Sequence, residues 1–151
     1  MSTGQWVLVV AVLLAVALGC WRMVVDGRFR GTHRVRGAES PVVGEATDAT
    51  NLLAATAYAE RLGERATLLQ FSSAFCAPCR ATRVVLAGVA DAVPGVTHLE
   101  VDAEQHLELV RRVGVLRTPT TLVLDAAGAE VARAAGAPTS SQVLAALSKA
   151  V

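Results

Sequence analysis

The hydrophobic positions divide the chain into a short apolar stretch and a longer region of alternating pattern. Residues 4–21 contain no charged side chain, and tryptophans stand near both ends, at Trp6 and Trp21. Eighteen helical residues at ~1.5 Å each are about long enough to cross a bilayer core, and tryptophan favours its two interfaces. We therefore predict a transmembrane helix over residues 4–21.

Two other interpretations of this stretch stay open. A cleaved signal peptide usually starts with basic residues, whereas residues 1–5 contain no Lys or Arg. A lipidated signal needs small residues before a cysteine, and the run from Ala17 to Cys20 fits that pattern poorly. We favour the uncleaved anchor over both signal interpretations and over a soluble helix.

Residues 22–48 lack a sustained hydrophobic period and contain several glycines, which predicts a flexible basic linker. Its basic residues are Arg22, Arg28, Arg30, Arg34 and Arg36. Short arginine-rich flanks of a membrane helix tend to stay in the cytoplasm. We therefore predict a single-pass membrane protein whose following domain is cytoplasmic, with an extracytoplasmic domain as the alternative.

From residue 49 to residue 151 the pattern becomes regular. A hydrophobic stripe from Leu52 to Leu62 predicts a helix ended by Gly63. The remaining pattern predicts strands at 67–71, 96–101, 120–124 and 129–134, and helices at 77–93, 103–113 and 140–150. Strands that alternate with helices indicate an α/β domain with parallel pairing, to which the turn at 125–128 adds one antiparallel hairpin.

Composition narrows the chemistry. Aromatic residues make up only 4% of the chain, which argues against nucleic-acid binding by base stacking. Three cysteines are too few for a disulfide-stapled small fold. Two of them, Cys76 and Cys79, lie where a predicted strand meets a predicted helix N-terminus, and this position favours a reactive thiolate. The pair therefore indicates redox or metal chemistry.

These residues resemble the thioredoxin family over about residues 50–151. The resemblance rests on Cys76-Ala77-Pro78-Cys79 between strand and helix, on Val101-Asp102, on the run Val113–Thr120 with its Thr-Pro-Thr, and on the hairpin at Gly128. It implies a thioredoxin-like fold with a central mixed sheet flanked by helices. It also implies a protein-disulfide reductase that uses a redox-active Cys76–Cys79 disulfide and no other cofactor.

The spacing and the resemblance together suggest roles for individual residues. We expect Cys76 at the helix N-terminus to be the nucleophile and Cys79, one turn further in, to be the resolving thiol. Pro78 and Ala77 would tune the helix start. The resemblance implies a cis peptide bond at Pro119 and a substrate-binding surface formed by Phe75, Thr118 and Pro119. Expected partners are disulfide-containing proteins and an electron donor, either thioredoxin reductase or a membrane protein.

The chain departs from the family at several positions. Phe75 and Ala77 replace the usual tryptophan and glycine, and Gln70 occupies the place of a buried aspartate. Glutamine cannot exchange a proton at neutral pH, so activation of the second cysteine must be absent or arise elsewhere. His98 occupies the place of a family lysine and could titrate, although a hydrogen-bonded histidine without a catalytic role is the simpler interpretation.

Two other functions are considered for the cysteine pair. A zinc site needs four ligands, and the three histidines show no matching spacing, although a copper-handling relative of this fold remains an alternative. The second alternative is a non-catalytic adaptor that uses the fold only to bind a partner. We assign no catalytic role to Cys20, which lies in the predicted membrane helix.

Overall fold

The computed structural model describes residues 3–25, 28–31 and 51–151. Its first element is helix α1, Thr3–Val25. The window Gly4–Trp21 has a mean hydropathy of 2.1, and none of it is buried within the structure. By length and composition, α1 is suited either to crossing a membrane or to serving as a signal sequence.

Six of the eight described residues in the predicted linker, residues 22–48, have regular structure. Helix α1 continues to Val25, beyond its predicted end, because no Gly or Pro follows Trp21 within that stretch. Arg30–Gly31 form a short strand, β1, instead of unstructured chain. The linker's other residues, apart from 28 and 29, lie outside the described residues.

The domain is built on a mixed sheet with the strand order β1-β5-β4-β2-β3. The longer strands are β2 (Ala66–Ser72), β3 (Val96–Asp102), β4 (Thr120–Asp125) and β5 (Glu130–Ala135). β2 and β3 pair in parallel, whereas β4 runs antiparallel to both β2 and β5, and β1 runs antiparallel to β5. The predicted central mixed sheet is confirmed.

Helices and turns cover both faces of the sheet. α2 (Ala77–Ala92) and α4 (Ser140–Leu147) pack over one face, where Leu68, Leu86 and Val143 are fully buried. α3 (Leu107–Val113) covers the other face above Leu69 and Phe71. Because successive residues of a strand point to opposite faces, all seven residues of central β2 are buried.

The helix predicted from Leu52 to Leu62 is wrong. This stretch consists of turns and one three-residue 3₁₀ helix, Ala59–Arg61. Ala55 has a φ of 61°, in the left-handed region that an α-helix excludes. Leu53 is nevertheless fully buried in the core beside α3. The apolar spacing therefore indicated a segment that packs on the core, although its backbone is not helical.

Bonds from side chains to the backbone replace the helical ladder in this stretch. The Leu53 N–H donates to Asn51 Oδ1 at 2.9 Å, and Thr56 Oγ1 donates to the Leu53 carbonyl at 2.6 Å. Thr56 Oγ1 also accepts from the Tyr58 N–H at 3.2 Å. Short polar side chains compete with helix formation in this way.

Helix α3 begins later than predicted, at Leu107 instead of residue 103. Asp102 accepts a bond from the Glu104 N–H through Oδ1 and one from Gln105 Nε2 through Oδ2, both at 2.9 Å. These bonds hold the chain in a turn directly after β3, so the helix cannot start there.

Candidate functional site

The two cysteines lie at the junction between β2 and α2. Cys76 is the N-cap of α2 and Pro78 lies in its first turn, where a missing N–H costs no helical hydrogen bond. Cys76 and Cys79 form a disulfide, with their Cα atoms 5.2 Å apart. Cys76 is half-buried, whereas Cys79 is 1% exposed. The sulfur of Cys76 is therefore the one that a large partner can reach.

A backbone group is directed at the Cys76 sulfur. The Cys79 N–H donates to Cys76 Sγ at 3.1 Å. This N–H belongs to the first turn of α2, where free donors and the helix dipole favour negative charge. In the reduced protein the same geometry would stabilise a Cys76 thiolate.

A second loop lies beside the cysteine loop. The Thr118–Pro119 peptide bond is cis, and Pro119 is buried. The hydroxyls of Ser73 and Thr118 are 3.1 Å apart and hydrogen-bonded, which joins this loop to the loop that leads to Cys76. The Pro119 carbonyl accepts from the Gly136 N–H at 2.8 Å, which ties the second loop to the end of β5.

Two large apolar side chains beside these loops are almost fully exposed. Phe75 is 98% exposed and Leu116 is 97% exposed. The sequence predicted Phe75 as part of a binding surface but did not predict Leu116. The only sign of Leu116 in the sequence was its apolar side chain in the short segment between α3 and β4. Ala77 and Pro78 are also exposed on the first turn of α2.

Gln70 occupies the buried position beneath the disulfide and uses its whole side-chain amide. It is fully buried, and its Nε2 donates to Ser72 Oγ at 2.7 Å and to the Cys79 carbonyl at 3.0 Å. Its Oε1 lies 3.1 Å from His98 Nε2. The glutamine therefore holds the backbone of the buried cysteine to β2 and β3.

The same bonds fix the tautomer of His98. A carbonyl only accepts hydrogen bonds, so the Gln70 nitrogen must face the Cys79 carbonyl and its oxygen must face His98. His98 Nε2 is therefore the donor, carrying a hydrogen directed at Gln70 Oε1. Burial lowers the pKa of His98, an effect that nearby Glu100 opposes and Arg83 reinforces.

A carboxylate lies next to this group of hydrogen bonds. Glu100 accepts two bonds from Arg83, at 2.5 Å from Nε and 2.8 Å from Nη2, and interacts with the Ser72 hydroxyl. Burial alone would raise the pKa of Glu100, but the bonds from Arg83 and Ser72 outweigh it and lower that pKa. Sequence reasoning missed Ser72 and Glu100, because only the pairing of β2 with β3 in the structure brings them to the site.

A cavity of about 420 Å³ opens beside the disulfide. Its lining includes Cys76, Cys79, Ser72, Glu100 and Asp102. Both cysteines therefore line the same cavity as two carboxylates, Glu100 and Asp102. These carboxylates are present although position 70, where the family has an aspartate, is a glutamine.

The described residues contain no group of three or more His, Cys, Asp or Glu side chains that could hold a metal ion. Cys20 is a free cysteine, exposed on α1.

Comparisons with solved structures return thioredoxins. Thioredoxin from Fasciola hepatica shares 26% identity with a TM-score of 0.53, over 62% of this chain and 88% of that one. The short form of thioredoxin F from spinach chloroplast shares 22% identity with a TM-score of 0.55, over 66% and 88%. A mutant thioredoxin from Halobacterium salinarum shares 19% identity with a TM-score of 0.54, over 58% and 77%. The last two show similarity of fold alone.

No curated protein matches this chain in a sequence search. The thioredoxin family profile, however, matches residues 49–149, about two thirds of the chain. This match includes strands β2 to β5, the cysteine loop and the Pro119 loop, whereas β1 lies outside it. The fold and the family match together support thiol–disulfide redox chemistry, and the chain belongs to the thioredoxin family.

Proposed function

We propose that this protein is a membrane-tethered thiol–disulfide oxidoreductase that reduces disulfides in other proteins. The observation that carries the proposal is the unequal burial of a bonded cysteine pair at a helix N-terminus. Cys76 is half-buried and receives a backbone N–H, whereas Cys79 lies behind it with 1% exposure. Exchange needs one accessible thiolate and one protected thiol that acts second.

The proposed reaction has two steps. The Cys76 thiolate attacks one sulfur of a substrate disulfide, forms a mixed disulfide and releases the other substrate sulfur as a thiolate. Cys79 then loses its proton and attacks Cys76, which releases the second substrate sulfur and forms the Cys76–Cys79 disulfide. Two electrons and two protons pass to the substrate. A dithiol donor, either thioredoxin reductase or a membrane protein, restores the reduced pair by the reverse exchange.

The surface around Cys76 suggests how a substrate binds. Phe75 offers an exposed apolar side chain directly before the nucleophile. The Pro119 carbonyl already accepts a hydrogen bond from Gly136, so we assign backbone pairing with an extended substrate segment to Thr118. Ala77 and Pro78 keep the first turn of α2 free of bulky side chains, which leaves Cys76 open to a second chain.

Insulin reduction with dithiothreitol tests the activity. The unaltered protein should accelerate precipitation of the insulin B chain, and Cys76→Ser should reduce the rate to that of dithiothreitol alone. Cys20→Ser is the matched control, because it removes a cysteine outside the site and should keep turnover. Full activity of Cys76→Ser would overturn the assignment, and absence of turnover in the unaltered protein would favour a non-catalytic adaptor.

The tether and its topology form a separate part of the proposal. α1 would serve as an uncleaved anchor, with the arginines that follow it holding the domain in the cytoplasm. Fusion of alkaline phosphatase to the C-terminus should then give low phosphatase activity in cells. High activity would contradict the cytoplasmic placement and favour the extracytoplasmic one.

A further inference from the structure

Strand β1 shows where the membrane helix joins the domain. β1 runs antiparallel to β5, with Arg30 opposite Arg133 and Gly31 opposite Ala132. The residues before Arg30 therefore point toward the C-terminal end of β5. Phe29 is half-buried and packs against the core under α2 and α4, which fastens the entering chain to the domain.

The C-terminal end of β5 lies at the same end of the sheet as the cysteines. Ala135 at this end pairs with Thr120 of β4, and Thr120 pairs with Phe71 of β2. The loop that carries Cys76 follows β2 directly. We call this the redox end, the end of the sheet at which Phe71, Thr120 and Ala135 lie.

The connection between α1 and the redox end is short. Four residues separate Val25, the last residue of α1, from Arg30, so the five steps span at most ~17 Å. The four helical residues after Trp21 add ~6 Å. Across the sheet, three strand spacings of ~4.8 Å place β2 about 14 Å from β1.

The opposite end of the sheet lies further from the tether. Its marker is the turn between β4 and β5, where Ala127 is exposed. The six residues of β4 separate this turn from the redox end by ~20 Å. The connection from α1 is short and enters the domain beside the redox end. An orientation with the redox end facing the membrane is therefore favoured.

The side chains at the redox end suit a bilayer surface. Phe75 and Leu116 are almost fully exposed, and Arg28, Arg80 and Arg117 present charge nearby. Apolar and basic side chains together are typical of surfaces that face anionic lipid. The acidic residues of this end include Glu100, Asp102 and Glu104, which lie in or directly after β3, the strand furthest from β1. Glu100 among them is paired with Arg83.

We infer that the tether holds the redox end toward the bilayer, so that Cys76 acts on disulfides of integral membrane proteins at the bilayer surface. This inference rests on the proposed anchor and the proposed exchange reaction. In the reaction, the membrane partner's disulfide breaks, the Cys76–Cys79 disulfide forms, and two electrons and two protons pass to the partner's cysteines.

Fluorescence quenching tests the orientation without using redox activity. The full chain, carrying Cys20→Ser, Cys76→Ser and Cys79→Ser, receives one label at Leu116→Cys or at Ala127→Cys. It is then reconstituted into vesicles of four parts phosphatidylcholine to one part phosphatidylglycerol that contain nitroxide-labelled lipid. Because the turn that contains position 127 lies ~20 Å from the redox end, we expect quenching at position 116 to exceed that at 127 by about threefold. Equal quenching, or stronger quenching at 127, would overturn the orientation.

A second experiment tests the partner. The full chain in the same vesicles reduces a disulfide peptide coupled to a phospholipid headgroup or the same peptide free in solution. Twenty Gly/Ser residues inserted between Asp26 and Gly27 should lower the preference for the coupled peptide about fivefold, because a longer tether lowers the local concentration. The same insertion between Gly37 and Ala38, after β1, should leave the preference unchanged.

The outcomes separate this inference from the proposed function. Normal insulin reduction without a preference for the coupled peptide would leave the oxidoreductase assignment intact and replace the membrane partner by a soluble one. Loss of all disulfide reduction would refute the proposed function, while the quenching ratio would still report the orientation.

Discussion

Gln70 donates a hydrogen bond from Nε2 to the main-chain carbonyl of Cys79 at 3.0 Å. The amide thereby braces the buried cysteine from β2, where it also donates to Ser72, and links it through His98 to β3. A residue that stands in place of an acid is thus a structural support for the second cysteine.

Replacing Gln70 by Leu should destabilise the domain. Leucine would remove one bond from the Cys79 carbonyl, which also belongs to the helical ladder of α2, and would leave the His98 N–H without its acceptor in a buried setting. A buried polar group left unsatisfied costs about 1–3 kcal/mol and a lost hydrogen bond about 1 kcal/mol, so we expect a loss of about 2–4 kcal/mol in the free energy of unfolding. Urea denaturation measures it. Gln105→Leu, at an exposed site, is the matched control, and an equal effect of the two would contradict the bracing role.

His98 should make stability depend on pH below neutrality. Burial lowers its pKa from the ordinary 6.5, so below that pH the unfolded chain binds more protons at this site than the folded domain. The stability linked to His98 is therefore complete above pH ~6.5 and is lost as pH falls through the lower folded-state pKa. Glu100 acts in a separate window, below its ordinary 4.5, because its pKa is also lowered.

His98→Gln checks this linkage. Denaturation midpoints measured from about pH 7 to about pH 5 should fall with decreasing pH in the unaltered protein and fall less in the variant. The same slope in both proteins would show that another group sets the dependence.

Leu53→Ala should destabilise the domain although Leu53 lies in a turn. The side chain is fully buried against α3 and the sheet, so truncation leaves a cavity that costs about 2–5 kcal/mol. Leu116→Ala makes the same chemical change at a residue with 97% exposure and should cost less than about 0.5 kcal/mol. Thermal unfolding of both variants makes the comparison, and a small effect at Leu53 would contradict its place in the core.

Most of this fold was predictable from the sequence because β2 to β5 and α2 coincide with local runs of apolar residues. These apolar residues are the ones buried in the structure. The run around Leu69 predicts a central strand, and the cysteines next to it predict the start of α2. The stretch from Leu52 to Leu62 has the same apolar spacing as a helix, but bonds from Asn51 and Thr56 to the backbone override that spacing. The spacing of apolar residues gives no information about these competing bonds from side chains to the backbone.

The site was predictable where it depends on adjacent residues and not where it depends on strand register. The spacing of Cys76 and Cys79 suffices to predict their proximity. The bond between Gln70 and His98 requires β2 and β3 to align in parallel with Gln70 opposite Glu100. No local pattern sets that alignment. The direction in which β1 enters the sheet likewise emerges only from the pairing with β5.

The most direct test of the central claim is to trap the mixed disulfide. Reduced Cys79→Ser protein, also carrying Cys20→Ser, is mixed with a peptide that contains one disulfide, and the products are identified by mass spectrometry after acid quenching. We predict an adduct of one peptide attached through Cys76, stable because no resolving thiol is present. The matched Cys76→Ser protein, which retains the buried Cys79, should form this adduct at least about tenfold more slowly. Equal rates in the two variants, or an adduct only at Cys79, would contradict the assignment of Cys76 as the attacking thiol.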